Sequence, residues 1–278
     1  MNDAIEKTVI ESVNANGEAI ETITEGNVVT HLSPYDTYWK NAKAKILEKG
    51  GNTKTFEEIK ELSPYNIKDI PLEKQPYYFL QNVFSQGQII HIANDAYGKT
   101  LKTREEWNEI LSDTEAFNNH TLFCPNAFET TDGGRNDKNI GHYRYVIGEI
   151  DKGLTLEQQI AFWLGSELPI KSMVYSGNKS VHALIQIFCK SSEEWNQNIY
   201  GKLFDYLEAL GADKKCRNAS HLSRFPAGVR QDTGKEQEWL YCNPHAACLT
   251  TEKLITKLES LIISLNGKIP QKPVEVIE

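Results

Sequence analysis

The sequence predicts an α+β fold whose second half is a split βαβ, ferredoxin-like sheet. Three observations carry this. From His142 onward the strand and helix signals run β-α-β-β-α-β. The helices open on capping boxes, Thr155-Leu-Glu-Gln158 and Ser191-Ser-Glu-Glu194. The strands are short apolar runs bounded by turn residues, as in Tyr145-Val-Ile-Gly-Glu-Ile-Asp151.

Taken in order, residues 1–30 hold six acids and one Lys with almost no aromatics, and read as an acidic tail or exposed hairpin. Asp36 to Lys49 reads as a helix stopped by Gly50-Gly51, and Thr55 to Leu62 as a second, broken by Ser63-Pro64. Residues 76–94 read as two strands around Gln86-Gly87. Thr103-Arg-Glu-Glu106 opens a helix to about Leu111, Thr121 to Cys124 is a strand, and 129–141 is a polar loop. His142–Asp151 is the first strand of the split unit, followed by a helix from Thr155 to Gly165. Lys171–Ser176 and Ser180–Ile187 are strands joined by Gly177-Asn178-Lys179. The Ser191 helix carries Trp195, Ile199, Leu203, Leu207 and Leu210 on one face and ends at Gly211. Asp213 begins an extended segment, Gln237–Cys242 is a further strand, and Thr251–Leu265 is an amphipathic helix. No internal repeat or low-complexity linker interrupts this order.

A chain of 278 residues with 40% hydrophobic and 24% charged residues suits one large globular domain or two small ones. No apolar run approaches the roughly 18 residues of a bilayer span. The acidic N-terminus lacks the apolar core of a secretory signal. Five scattered cysteines suit a reducing cytoplasm better than a disulfide framework. The net charge of −8 argues against a general DNA-coating protein. Residues 171–235, however, carry 10 Lys/Arg against 6 Asp/Glu, which leaves −12 elsewhere. A basic region in an acidic chain suits a polyanionic substrate, although an unevenly solvated surface gives the same count.

Residues i and i+2 of a strand share a face. Glu149 and Asp151 therefore present two carboxylates together, and Ser180 and His182 a hydroxyl and an imidazole. In a ferredoxin-like sheet, strand 1 lies between strands 3 and 4, so Asp213, opening strand 4, converges on the same edge. Strand-end acids are commonly just solvated. Three converging carboxylates can instead hold two divalent ions for phosphoryl or nucleotidyl transfer. Ser176-Gly-Asn-Lys-Ser-Val-His182 reads either as a plain hairpin turn or as an anion nest with Lys179 on the phosphate. Ser220-His-Leu-Ser-Arg-Phe-Pro-Ala-Gly-Val-Arg230 is a surface loop or a source of two guanidinium forks, Arg224 and Arg230, for phosphate. Cys242, His245 and Cys248 with Cys216 have an ambiguous metal spacing, and a structural zinc is not expected. Tyr77-Tyr78-Phe79, Trp107, Trp163 and Trp195 read as core rather than as stacking platforms. There is no Walker A loop: Gly234-Lys235 is followed by Glu236.

An acid-x-acid at a strand end, then Ser-Gly-x-Lys-Ser-x-His, then an Asp followed by Leu-Ser-Arg-x-Pro resembles the archaeo-eukaryotic primase superfamily, over roughly residues 135–242. The phage- and plasmid-type primase or primase-polymerase domains are the most similar. The resemblance implies Mg²⁺ or Mn²⁺ at Glu149, Asp151 and Asp213, with Glu149 standing where many members have Asp. It implies an incoming NTP or dNTP held by His182, Lys179 and Arg224, with Ser180 and Arg230 beside it. It also implies one primase domain: residues 1–30 as the tail, an N-terminal α/β subdomain over 31–140, and an RRM-like catalytic subdomain over 141–278. The expected activity is template-directed primer synthesis on single-stranded DNA, with or without DNA extension. A separate replicative helicase is the expected partner, since none is encoded here. The alternatives are a replication-initiator module that binds single-stranded DNA without chemistry, and a metal-dependent nuclease with His182 as general base.

Overall fold

The computed structural model describes residues 7–13, 19–25, 28–94, 100–112 and 120–273. Near the N-terminus, β1 (Lys7–Val13), β2 (Ala19–Glu25) and β3 (Val28–Leu32) form an antiparallel meander of their own. α1 (Pro34–Lys49) is opened by Ser33, whose hydroxyl accepts from the Asp36 amide while Asp36 returns a bond to the Ser33 amide. It ends where it crosses another helix backbone to backbone: a Cβ on Gly50 would lie 1.7 Å from the Ala161 carbonyl oxygen. α2 (Phe56–Leu62) carries the same capping box between Thr55 and Glu58.

Residues 76–83 depart from the sequence reading. They form α3 (Gln75–Val83), not a strand, and β4 (Ile89–Ala93) follows. Pro76 fits the first helical turn, and Pro76, Phe79, Leu80 and Val83 are buried at helical spacing. β5 (Leu101–Thr103) leads into α4 (Arg104–Ser112) through the Thr103–Glu106 capping box. Then come β6 (Leu122–Phe123), β7 (Ala127–Phe128), β8 (Ile140–Gly148), α5 (Leu156–Gly165), β9 (Ile170–Tyr175) and β10 (Val181–Cys189). α6 (Ser192–Glu194) runs through a π-helical stretch, Trp195–Leu203, into α7 (Phe204–Ala209). A 3₁₀ turn at Lys214–Arg217, β11 (Ser223–Arg224), β12 (Glu238–Cys242), β13 (Leu249–Thr250) and α8 (Thr251–Asn266) complete the described chain. No helix among the described residues is long and apolar enough to cross a membrane.

One sheet takes in strands from both halves, in the order β11-β6-β4-β7-β8-β10-β9-β12, with β5 on β4 and β13 on β10. β8, β10 and β9 pair antiparallel as strands 1, 3 and 2 of a split βαβ unit. The fourth strand departs from the expected order: β12 pairs with β9, and β7 takes the place beside β8. Although β11 and β10 are far apart in this order, the Ser223 hydroxyl lies 3.2 Å from His182 Nδ1. The sheet therefore curls over itself. Phe79, Phe123, Phe225 and Trp239 fill the curl, with Phe79 contacting the other three edge-on.

Candidate active site

The site begins where β8 ends. Gly148 is the last residue of that strand, and Trp163 of α5 lies over it: a Cβ there would stand 2.4 Å from the indole. The antiparallel register pairs Gly148 with Ala183. The next residue on one strand, Glu149, therefore meets the previous residue on the other, His182. Glu149 Oε1 accepts from the Ser180 hydroxyl at 2.7 Å and lies 3.1 Å from His182 Nε2. His182 is only 5% exposed, and its Nδ1 is engaged with Ser223. This placement differs from the phosphate contact implied by the resemblance: both ring nitrogens face protein, and the imidazole orients Glu149.

The turn before β10 is fixed from three sides. Ser176 Oγ accepts from the Ser180 amide at 3.2 Å, and the Ser176 amide donates to the Ser180 carbonyl at 2.9 Å. Gln159, fully buried on α5, donates to the Lys179 carbonyl at 2.9 Å and accepts from the Val181 amide at 2.8 Å. Gly177 has φ +74°, and a Cβ there would meet the Lys235 carbonyl at 3.0 Å, so the turn requires glycine. Lys179 is thereby presented at the surface with Nζ 3.4 Å from Asp151 Oδ2.

The two carboxyl groups titrate apart. Burial raises Glu149, but His182, the Ser180 hydroxyl and the adjacent Asp151 carboxyl outweigh it and hold Glu149 well below the usual carboxylate range. Asp151 is pushed up by burial and by the charge of Glu149, against the pull of Lys179. Asp151 Oδ1 is buried and receives no hydrogen bond.

Asp213 reaches the site by a route other than the expected fourth strand. It follows Gly211 and opens the 3₁₀ turn, where its Oδ1 accepts from the Lys215 amide at 3.0 Å. Its own amide donates to the Glu149 carbonyl at 2.8 Å, which stitches this segment to the end of β8. Asp213 and Asp151 line one cleft of about 310 Å³ with Lys152, Gly211 and Lys215. Arg224 lies close enough for Glu149 and Asp151 to act on it. Burial and the charge of Arg230 lower its pKa against them. No hydrogen bond engages the Arg224 side chain among the described residues. Arg230 is instead held by Asp232, with Nε at 2.5 Å from Oδ1 and Nη2 at 3.0 Å from Oδ2.

Four residues of the site were not singled out for it in the sequence. Gln159 and Ser223 hold its parts in place. Cys216, the fourth residue of the Cys/His set, packs against Glu149 with Sγ 3.7 Å from Oε2. Burial and the surrounding carboxylates push its thiol far up. Cys242 lies apart from it, in β12. His221 is within electrostatic reach of Glu149, His182 and Asp213, and burial lowers its pKa.

Among the described residues, no group of three or more His, Cys, Asp and Glu side chains forms a ready-made metal cage. A closed cage is not what Mg²⁺ requires. It keeps several waters and takes one or two carboxylates together with substrate phosphates. Touching carboxyls, the unbonded Asp151 Oδ1 and Asp213 on the same cleft wall fit such an open site for a hard cation.

No family model matches the sequence, and no curated protein matches it. The structure is similar to the AEP domain of the cyanophage S-2L primase-polymerase (PrimPol), with a TM-score of 0.47 and 17% sequence identity, over 68% of this chain and 100% of that one.

Proposed function

We propose that the protein is a template-directed nucleotidyltransferase, a DNA primase or primase-polymerase working on single-stranded DNA with NTPs or dNTPs. The observation that carries the reading is the contact between Glu149 and Asp151 beside Asp213 and the unbonded Arg224. Like charges are held together where a cation would relieve them, and a guanidinium is kept available for phosphate.

Glu149, Asp151 and Asp213 would hold Mg²⁺ or Mn²⁺, which when bound lowers the pKa of an attacking hydroxyl and neutralises a triphosphate. Glu149 is the fixed member, kept ionised at neutral pH by His182 and Ser180. Asp151 is the responsive member, its charge balanced by Lys179. Arg224 offers a planar fork to phosphate oxygens and Lys179 a point charge. Arg230 contributes through the field, since Asp232 occupies its fork. His182, buried with both nitrogens engaged, serves as a positioning residue. That engagement counts against the nuclease reading, which needs it as a free base.

The test is synthesis from labelled NTPs or dNTPs on single-stranded DNA with Mg²⁺ or Mn²⁺, with and without a supplied primer, comparing wild type with Asp151→Asn. Metal-dependent oligomers from wild type alone support the reading. Extension of a primer without de novo product narrows it to a polymerase. DNA binding with neither product favours the binding module, and cleavage without nucleotides favours the nuclease.

A further inference from the structure

We infer that Lys43 of α1 is a phosphate ligand for the polynucleotide strand, reaching the carboxylate cleft from the opposite half of the molecule. The inference rests on the nucleotidyl-transfer reading and extends it to a residue far from the motifs in sequence. Lys43 lies on the α1 face turned toward the loops that flank Asp151 and Asp213. A Cβ on Gly211 would stand 2.8 Å from its Nζ, and one on Gly153 would stand 4.0 Å away. Both glycines have positive φ, +100° and +77°. The two turns that carry the acids are therefore free of side chains where the ammonium arrives.

Gly211 is also the shared wall of two clefts. On one side is the cleft of about 310 Å³ lined by Asp151 and Asp213. On the other is a cleft of about 430 Å³ that runs along α1 past Tyr35 and Trp39 and is lined by Lys40 and Lys43 as well as by Asp36 and Glu208. The ammonium stands at their junction. Two adjoining clefts suit a strand that continues from the reacting end along α1 better than they suit a single nucleotide.

Lys43 is unlike the lysines that follow it on its helix. Lys45 donates to the Leu265 carbonyl at 2.9 Å, and Lys49 pairs with Glu167 at 2.9 Å. Lys43 makes no hydrogen bond or ion pair among the described residues, yet it is half-buried, and burial lowers its pKa. A half-buried cation without a partner works against folding. A phosphate oxygen at the cleft junction would supply the missing partner as a charge-assisted hydrogen bond.

The experiment is binding of a fluorescent single-stranded oligonucleotide, followed by anisotropy over a salt series with Ca²⁺ as the metal. Wild type, Lys43→Met and Lys43→Arg are compared, with binding of a fluorescent dNTP measured in parallel. Loss of one phosphate contact makes the slope of log K against log salt shallower by about 0.7 for a single strand. That change is expected for Lys43→Met, with the slope restored in Lys43→Arg, dNTP affinity unchanged, and a melting temperature equal to or above wild type. An unchanged slope and affinity in Lys43→Met would overturn the inference, as would a loss confined to the dNTP. If wild type binds DNA and dNTP while Lys43→Met matches it, this inference alone falls. If wild type binds neither, the nucleotidyl-transfer reading falls with it.

Discussion

Asp151→Asn is expected to stabilise the protein while abolishing the proposed nucleotidyl transfer. The carboxyl lies against Glu149 and has one buried oxygen without a donor. Asn has the same shape, removes the repulsion and offers an N–H to the Glu149 carboxylate. A hydrogen bond to a charged acceptor contributes about 1.5–3 kcal/mol when well buried. The Asp151 side chain is 32% exposed, so the lower end applies. Against this stands the lost pair with Lys179, itself 57% exposed, for which roughly 0–1 kcal/mol is typical. The net gain is about 1 kcal/mol, or about 2–4 °C in melting temperature for a chain of this size. Thermal unfolding at neutral pH in EDTA measures it. The pH dependence has a definite sign. Because the folded pKa of Asp151 is raised, its ionisation costs stability above that pKa, and the cost disappears as pH falls below the unfolded value of about 3.9. The advantage of Asn should therefore shrink in acid. Added Mg²⁺ or Mn²⁺ at ten times its Kd should stabilise wild type by about 1.4 kcal/mol through mass action and leave the variant nearly unmoved. A variant that melts below wild type in EDTA, or that keeps the full metal response, would refute the reasoning.

Three further outcomes are expected. His182→Ala removes the partner that faces a largely buried carboxylate, and should cost about 1.5–3 kcal/mol in urea unfolding at neutral pH. Since Glu149 is depressed in the fold, its contribution is present above its unfolded pKa of about 4.3 and is lost as pH falls through the folded value. The gap between wild type and His182→Ala should therefore narrow in acid. Arg224→Lys should raise the KM for nucleotide with unfolding changed by no more than about 0.5 kcal/mol, because the guanidinium forms no hydrogen bond among the described residues; a large loss of stability would assign it a structural part instead. Gly148→Ala forces a methyl to 2.4 Å from Trp163 and should cost about 1–3 kcal/mol, with activity falling as Glu149 shifts; an unchanged melting temperature would show that the indole yields freely.

Local signals in the sequence were reliable where the physics is local. The boxes at Thr103 and Thr155 mark helix starts because the cap and its acid or amide lie three residues apart in sequence as in space. Tyr77, Tyr78 and Phe79 misled because aromatic residues favour strands on average. Burial at helical spacing beneath Pro76 decided the matter, and burial is a tertiary fact. The i, i+2 pairs Glu149/Asp151 and Ser180/His182 were legible as pairs. Their meeting follows from the β8–β10 register, which the split βαβ order implies. The position of the fourth strand was not legible, because Asp213 is tied to the end of β8 by one backbone hydrogen bond rather than by a ladder. Gln159 and Lys43 come from helices whose sequences carry no signal toward the carboxylates, and Ser223 and Cys216, although close to Arg224 and Asp213 in sequence, reach Glu149 and His182 only through tertiary packing.

The charges of both signs near Asp151 satisfy one another only in part. Among the described residues, Asp151 Oδ1 accepts no hydrogen bond although its Oδ2 pairs with Lys179, no hydrogen bond engages the Arg224 side chain, and Lys43 makes no hydrogen bond or ion pair. Backbone geometry keeps them apart. Asp151 follows a strand end stitched to Asp213, Arg224 sits in the β11–β6 ladder opposite Leu122, and α1 is fixed where Gly50 meets Ala161. A protein selected for stability alone would let such groups pair or replace them with apolar side chains. Retaining two cations without a partner among the described residues near a half-satisfied carboxylate suits a ligand that carries both signs itself, and a polyphosphate chain with a bound divalent cation does so. This is why the variants that remove single charges, Asp151→Asn and Lys43→Met, are expected to leave folding intact or improved while ligand binding suffers.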